Sequence, residues 1–208
     1  MVMRASYGSS RFETVIRDQF FVATPEGVGT GLDRLRSDWQ FNEEVPSIIV
    51  AKNLTSATGT RRTVLNNITF NQIGVVADDN IRVDVFIDPT YRYTSGGVEI
   101  TPRSNRPGWV NNVANNPLAE AEVYYGNPAS YGGIAEILCS AANVNTRHVQ
   151  PLVIQAADGG NFSIDFSGEV FIDLVGTVLI YIRVDEEATV NSDLTFALTF
   201  TEERLPRT

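Results

Sequence analysis

"IRVDVFID" spans Ile81–Asp88, and its alternation decides how the chain is read. Successive side chains of an extended strand face opposite sides of a sheet. Ile81, Val83, Val85 and Ile87 therefore point one way, and Arg82, Asp84, Phe86 and Asp88 the other. The pattern predicts a strand with one buried and one mostly solvated face. "DLTFALTFTEERL" (193–205) repeats it, with Leu194, Phe196, Leu198 and Phe200 on one side and Thr195, Ala197, Thr199 and Thr201 on the other.

Working outward, "SIIVAKNL" (47–54), "TVLNNITF" (63–70), "AEAEVYYG" (119–126), "VQPLVIQA" (149–156) and "FSIDFS" (162–167) also read as strands. Pro151 places its strand at a sheet edge, or begins it there, because proline cannot donate to a ladder. "ADGGN" supplies the positive φ angles of a tight turn before Phe162. "EVFIDLVGTVLIYIRVD" (169–185) has strand character broken at Gly176, and "RFETVIRDQFFVAT" (11–24) reads as a first strand. "PEGVGTGLDRLRSDWQFNEEVP" (25–46) reads as a long connection with one short helical turn around Leu32–Arg36. "GGIAEILCSAA" (132–142) suits a helical turn and a buried strand equally. About eight to ten strands with no long amphipathic helix predict an all-β fold. The expected architecture is an antiparallel β-sandwich, jelly-roll-like, with long loops. Residues 1–10 read as a polar, flexible N-terminal arm, and 11–208 as a single sandwich domain.

Composition narrows the function classes. The net charge is −9, so the basic footprint of a phosphate-binding groove is missing and nucleic acid is not an expected partner. No apolar run reaches the ~18–20 residues that span a bilayer, and "MVMRASYGSSRF" lacks the apolar core of a secretory signal. Synthesis in the cytoplasm, with no membrane partner, is the expectation. Of 16 basic residues only Lys52 is a lysine, and arginine is the better residue for bidentate interface contacts. Cys139 is the single cysteine, set among small apolar neighbours, and reads as a buried inert thiol.

Catalytic and metal chemistry find little purchase. His148 is the single histidine and cannot build a cluster of two or three histidines with a carboxylate. No G-x-S-x-G elbow accompanies it, so it reads as a surface or turn residue. The adjacent carboxylates Glu43/Glu44, Asp78/Asp79 and Glu186/Glu187 read as solvated bends, with Asp78, Asp79 and Asn80 a weak calcium signal lacking EF-hand spacing. "GVGTGLDRL" has no dinucleotide fingerprint. The sequons at Asn53, Asn67 and Asn161 read as chance in an Asn- and Thr-rich chain. No catalytic residue, metal or cofactor is expected.

The central stretch "VEITPRSNRPGWVNNVANNP" (98–117) is a long polar interruption, stiffened by Pro102, Pro107 and Pro117. Together with the polar arm "MVMRASYGSSRF", the "ITPRSNRPG" segment following a strand, and the closing strands "TVLIYIRVD" and "LTFALTF", it carries a resemblance. The chain resembles virion proteins of tailed bacteriophages, and more narrowly their capsid cement (decoration) proteins of β-sandwich type. The resemblance implies a location on the virion capsid surface. It implies docking on the major capsid protein, often as a homotrimer, and bridging of neighbouring subunits. A ligand that binds only the assembled shell stabilises it, and repeated contacts add by multivalency.

Two segments then become the candidate interface. The first is the arm, with Arg4, Tyr7 and Arg11, since a segment that orders on docking can wrap a large surface. The second is Arg103, Asn105, Arg106 and Trp109 in the central loop, because Trp and Arg are enriched at interface hot spots. Trp109 has a second reading, capping one end of the sandwich core. Strand faces such as Phe86 or Tyr181 are candidates for packing between copies. The alternative function is a trimeric tail-fibre or receptor-binding module for a host-surface glycan. Tyr91 and Tyr93, or Tyr124, Tyr125 and Tyr131, would supply its aromatic platform.

Overall fold

The computed structural model describes residues 20–26, 32–35, 43–53, 61–73, 80–104, 119–126, 134–142, 144–155, 161–184 and 192–204. Among the described residues there are fifteen strands and no helix. They are β1 (Phe20–Ala23), β2 (Leu32–Leu35), β3 (Ile48–Asn53), β4 (Arg61–Ile73), β5 (Asn80–Asp88), β6 (Tyr93–Gly96), β7 (Val98–Ile100) and β8 (Arg103–Ser104). There follow β9 (Glu122–Tyr125), β10 (Ile137–Cys139), β11 (Arg147–Gln155), β12 (Asn161–Asp165), β13 (Phe171–Ile172), β14 (Val175–Val184) and β15 (Ser192–Arg204).

Two antiparallel sheets pack face to face as a β-sandwich. The first runs β12-β4-β15-β1-β8, with β13 on β4 and β2 on β15; the second runs β11-β5-β14-β3-β9-β7. The strands of the two sheets pair in a nested order: β1 with β15, β3 with β14, β4 with β12, and β5 with β11. The inner faces meet through Leu65, Ile68 and Phe70 of β4 and Phe196, Leu198 and Phe200 of β15, all at most 1% exposed. Opposite them lie Val83, Val85, Val178 and Ile180, all fully buried. Phe196 is tilted against Phe70 and meets the Tyr125 ring edge-on. The alternation of 193–205 and of 81–88 thus maps directly onto this core.

The second face of β5 departs from expectation. Asp84 and Asp88 are 3% and 0% exposed rather than solvated. A small third sheet, β10 on β6, contributes to a second apolar cluster on the outside of the second sheet. Ile49, Ala51, Leu179 and Tyr181 pack there with Ile137 and Cys139. "SIIVA" and "TVLIYI" are continuous apolar runs because their strands are covered on both sides. The inward charges are paired. Arg92, 1% exposed, donates to the carbonyls of Ser140 and Glu43, and lies 3.7 Å from Asp88. Asp88 also accepts from Thr90 and Thr146.

Two further readings are corrected. Leu32–Leu35 is not a helical turn but β2, paired with β15; its Leu-x-x-Leu spacing mimics a helical period. Gly176 does not break a strand: it lies inside β14, and the interruption is Asp173–Leu174. Pro151 does sit on an edge strand, β11, whose ladder with β5 shifts register between His148 and Gln150.

The third sheet depends on close backbone approach. Gly96 has φ of 81°, and a Cβ there would run into the carbonyl oxygen of Glu136. Gly96→Ala is expected to loosen β6 from β10, by at least ~1 kcal/mol from the left-handed backbone alone. Hydrogen exchange should accelerate at Gly97 and Cys139 while protection in β15 is retained. Unchanged exchange across the third sheet would contradict this account.

Candidate functional site

Of the candidate interface residues, Arg4, Tyr7, Arg11, Asn105, Arg106 and Trp109 lie outside the described residues. Arg103 is described: it opens β8, pairs with Val22, and ion-pairs with Glu26. Both side chains are largely exposed, at 70% and 71%, so the pair contributes little to folding and can be exchanged for another partner. A cleft of about 400 Å³ lies beside it, lined by Val22, Thr24, Pro25, Glu26, Thr101 and Arg103. Phe21 pairs with Ser104, the last described residue before Asn105. Glu120, just past that loop, donates its backbone N–H to Glu202 near the end of β15. Both described flanks of the central loop therefore lie at one end of the first sheet, beside β1 and the end of β15.

That end holds a buried charge cluster that sequence reading passed over. Lys52 is fully buried and its Nζ lies 2.9 Å from Glu120, donating also to the Arg61 carbonyl at 2.6 Å. Glu202, likewise fully buried, accepts the backbone N–H groups of Glu120 and Ala121 and lies 3.5 Å from Arg61. The cluster ties β3 of one sheet to β4 and β15 of the other. The signal was present: Glu202 continues the core-facing row Phe196, Leu198, Phe200, and Lys52 continues Ile48, Val50. Alternation marks both as inward, and inward charges need partners. Desolvation by burial pushes the Glu202 carboxyl above the ordinary carboxylate value, against the pull of its backbone donors and Lys52.

The tyrosines divide. Tyr91, Tyr93 and Tyr124 come together on the outside of the second sheet, half-buried. Tyr93 stacks on Tyr124 with ring centroids 4.0 Å apart, and Tyr91 meets Tyr93 edge-on. The Tyr91 hydroxyl donates to Glu122 at 2.8 Å. Desolvation first, and the Glu122 carboxylate second, hold the Tyr91 and Tyr124 hydroxyls firmly protonated. Tyr125 instead points into the sandwich core, and Tyr131 lies outside the described residues. Tyr181 is 1% exposed and donates to the Glu43 carbonyl at 2.6 Å. Its own chain covers it, which corrects the expectation that it packs against another copy. Phe86 is likewise engaged, stacked on His148 and edge-on to Tyr181.

His148 sits on β11, its side chain 37% exposed, 3.1 Å from Asp84, which also pairs with Arg82. Among the described residues no group of three or more His, Cys, Asp or Glu could hold a metal ion. Asp78, Asp79, Glu186 and Glu187 lie outside the described residues, while Glu43 and Glu44 form an exposed turn. Cys139 is buried, and desolvation pushes its thiol up to about 11. Among the described residues no helix is long and apolar enough to cross a membrane.

Glu202 makes the cluster pH-sensitive. Its folded-state value lies above that of an unfolded glutamate, so the folded chain holds this proton more tightly. The contribution to stability is fully present with the carboxyl protonated and is lost as pH rises from the ordinary glutamate value through the raised one. Glu202→Gln is expected to remove that slope. Denaturation midpoints measured across the acid range should diverge between the two proteins as pH rises through that window, and parallel curves would refute the assignment. The chain matches no family model, no curated protein and no solved structure.

Proposed function

We propose that the chain is a structural protein of a virion: a cement protein that docks as a homo-oligomer on the outer surface of a phage capsid. There it bridges and stabilises neighbouring major capsid subunits. The observation that carries this reading is strand order. The core sheets run β1-β15-β4-β12 and β3-β14-β5-β11, which we read as the two interleaved four-stranded sheets of a jelly roll, an architecture used by viral capsid domains. A fold hosts many functions, so the reading leans equally on the surface. Arg103, the described member of the candidate central-loop interface, is exposed beside an open cleft. An exposed, exchangeable arginine of this kind suits a non-catalytic docking role.

A second reading is favoured by the tyrosine cluster. Tyr91, Tyr93 and Tyr124 around Glu122 offer aromatic surface beside a carboxylate acceptor, the pairing of groups that recognises a sugar ring and its hydroxyls. On that reading the chain is a tail-fibre or receptor-binding module for a host-surface glycan.

One sedimentation experiment separates the two. The purified protein should co-sediment with assembled shells of the virus that encodes it, and Arg103→Ala should weaken binding by about 1–2 kcal/mol, roughly five- to thirtyfold. Protein that ignores shells but adsorbs to host envelopes, and loses adsorption on Tyr93→Ala, would replace the cement reading with the second one.

A further inference from the structure

A sandwich has two outer faces, and here they are treated differently. The outside of the second sheet is covered by β6 and β10 of the same chain. No described strand lies over the outside of the first sheet, although Phe20 and Thr201 on its β1–β15 side are buried, at 8% and 5% exposed. Antiparallel sheets that face water normally carry charge there. This face does not. Its central pairs are Asn67–Thr199, Thr69–Ala197 and Asn71–Thr195, contributed by β4 and β15 and all partly exposed. Depletion of charge at the centre of a patch is the compositional mark of an interface.

The edges of the face are charged, with opposite signs. One row crosses five strands in register: Asp165, Asn67, Thr199, Val22, Arg103. At about 4.8 Å per strand the two charges stand about 19 Å apart, with only uncharged side chains between them. Such a row is self-complementary. When a second copy stacks with its row reversed, Asp165 of each copy meets Arg103 of the other, as a two-fold contact requires. The chain carries a net charge of −9, so two copies repel through most of their surface. The uncharged centre with opposed edges is where they can meet without burying unpaired carboxylates.

We infer that the outer face of the β12-β4-β15-β1 sheet binds a second copy of this chain. The inference rests on the oligomeric part of the proposed function and not on shell binding; Arg103 serves both, so the two are separated on the wild type, where solution mass tests one and co-sedimentation the other. Mass should be measured by light scattering over a concentration series. The wild type should be oligomeric. Ala197→Asp, which places a carboxylate at the centre of the face, should raise the dissociation constant at least about tenfold. Asp165→Arg should weaken association through like-charge contact with Arg103, and the double exchange Asp165→Arg with Arg103→Asp should restore it. Val144→Asp, at a position 99% exposed and away from the face, should change nothing. Circular dichroism identifies any variant that fails to fold, and Asp165→Arg, at an exposed edge position, keeps the test open if Ala197→Asp does so. A monomeric wild type, or an oligomer of wild-type mass and affinity in the folded variants, overturns the inference.

Discussion

The register of β15 on β4 is the constraint on which the rest depends. Twelve residues of β15, from Asp193 to Arg204, are paired along β4. The side-chain period of a strand is two, so a slip of one residue would send Phe196, Leu198 and Phe200 outward and bring Thr195, Ala197 and Thr199 into the core. The register is held by more than the ladder. On the inside, Phe196 fits between Phe70 and Tyr125. On the outside, Thr199 donates to Asn67. At the end, Glu202 must meet the N–H groups of Glu120 and Ala121. A slip breaks all three at once, and the last would strand a carboxylate in the interior.

What was legible in the sequence follows from strand length and from how many faces are covered. β5 and β15 declare themselves because each is long and carries a clean apolar row. β7, β8, β10 and β13 have only two or three residues, too few to display a period, and their pairing is set by partners distant in sequence. β2 has Leu32 and Leu35 at the spacing of a helical turn, and the extended partner β15 overrides that local preference. Asp84 and Asp88 looked solvated because nothing in "IRVDVFID" tells that another part of the chain will lie over its polar side.

The sites show the same limit. Tyr91 and Tyr93 are near neighbours, but their contacts with Tyr124 and Glu122 join segments about thirty residues apart that only the folded sheets bring together. Arg92 gives no local sign that its guanidinium will be sealed against backbone carbonyls of Glu43 and Ser140. Lys52 and Glu202 are the exception. Each extends an apolar alternation with a charge, and a charge that keeps the period of the core has to be neutralised within it.

The edge strand β11 has a consequence for how the protein behaves in quantity. Pro151 carries no N–H at its place on this strand, and the ladder with β5 shifts register beside Val149. An incoming extended chain finds no continuous row of hydrogen-bonding groups there. Growth by adding strands sideways, the route by which crowded sandwiches turn into fibres, is blocked along this margin. Copies that meet at this margin do so through side chains rather than by extending a sheet.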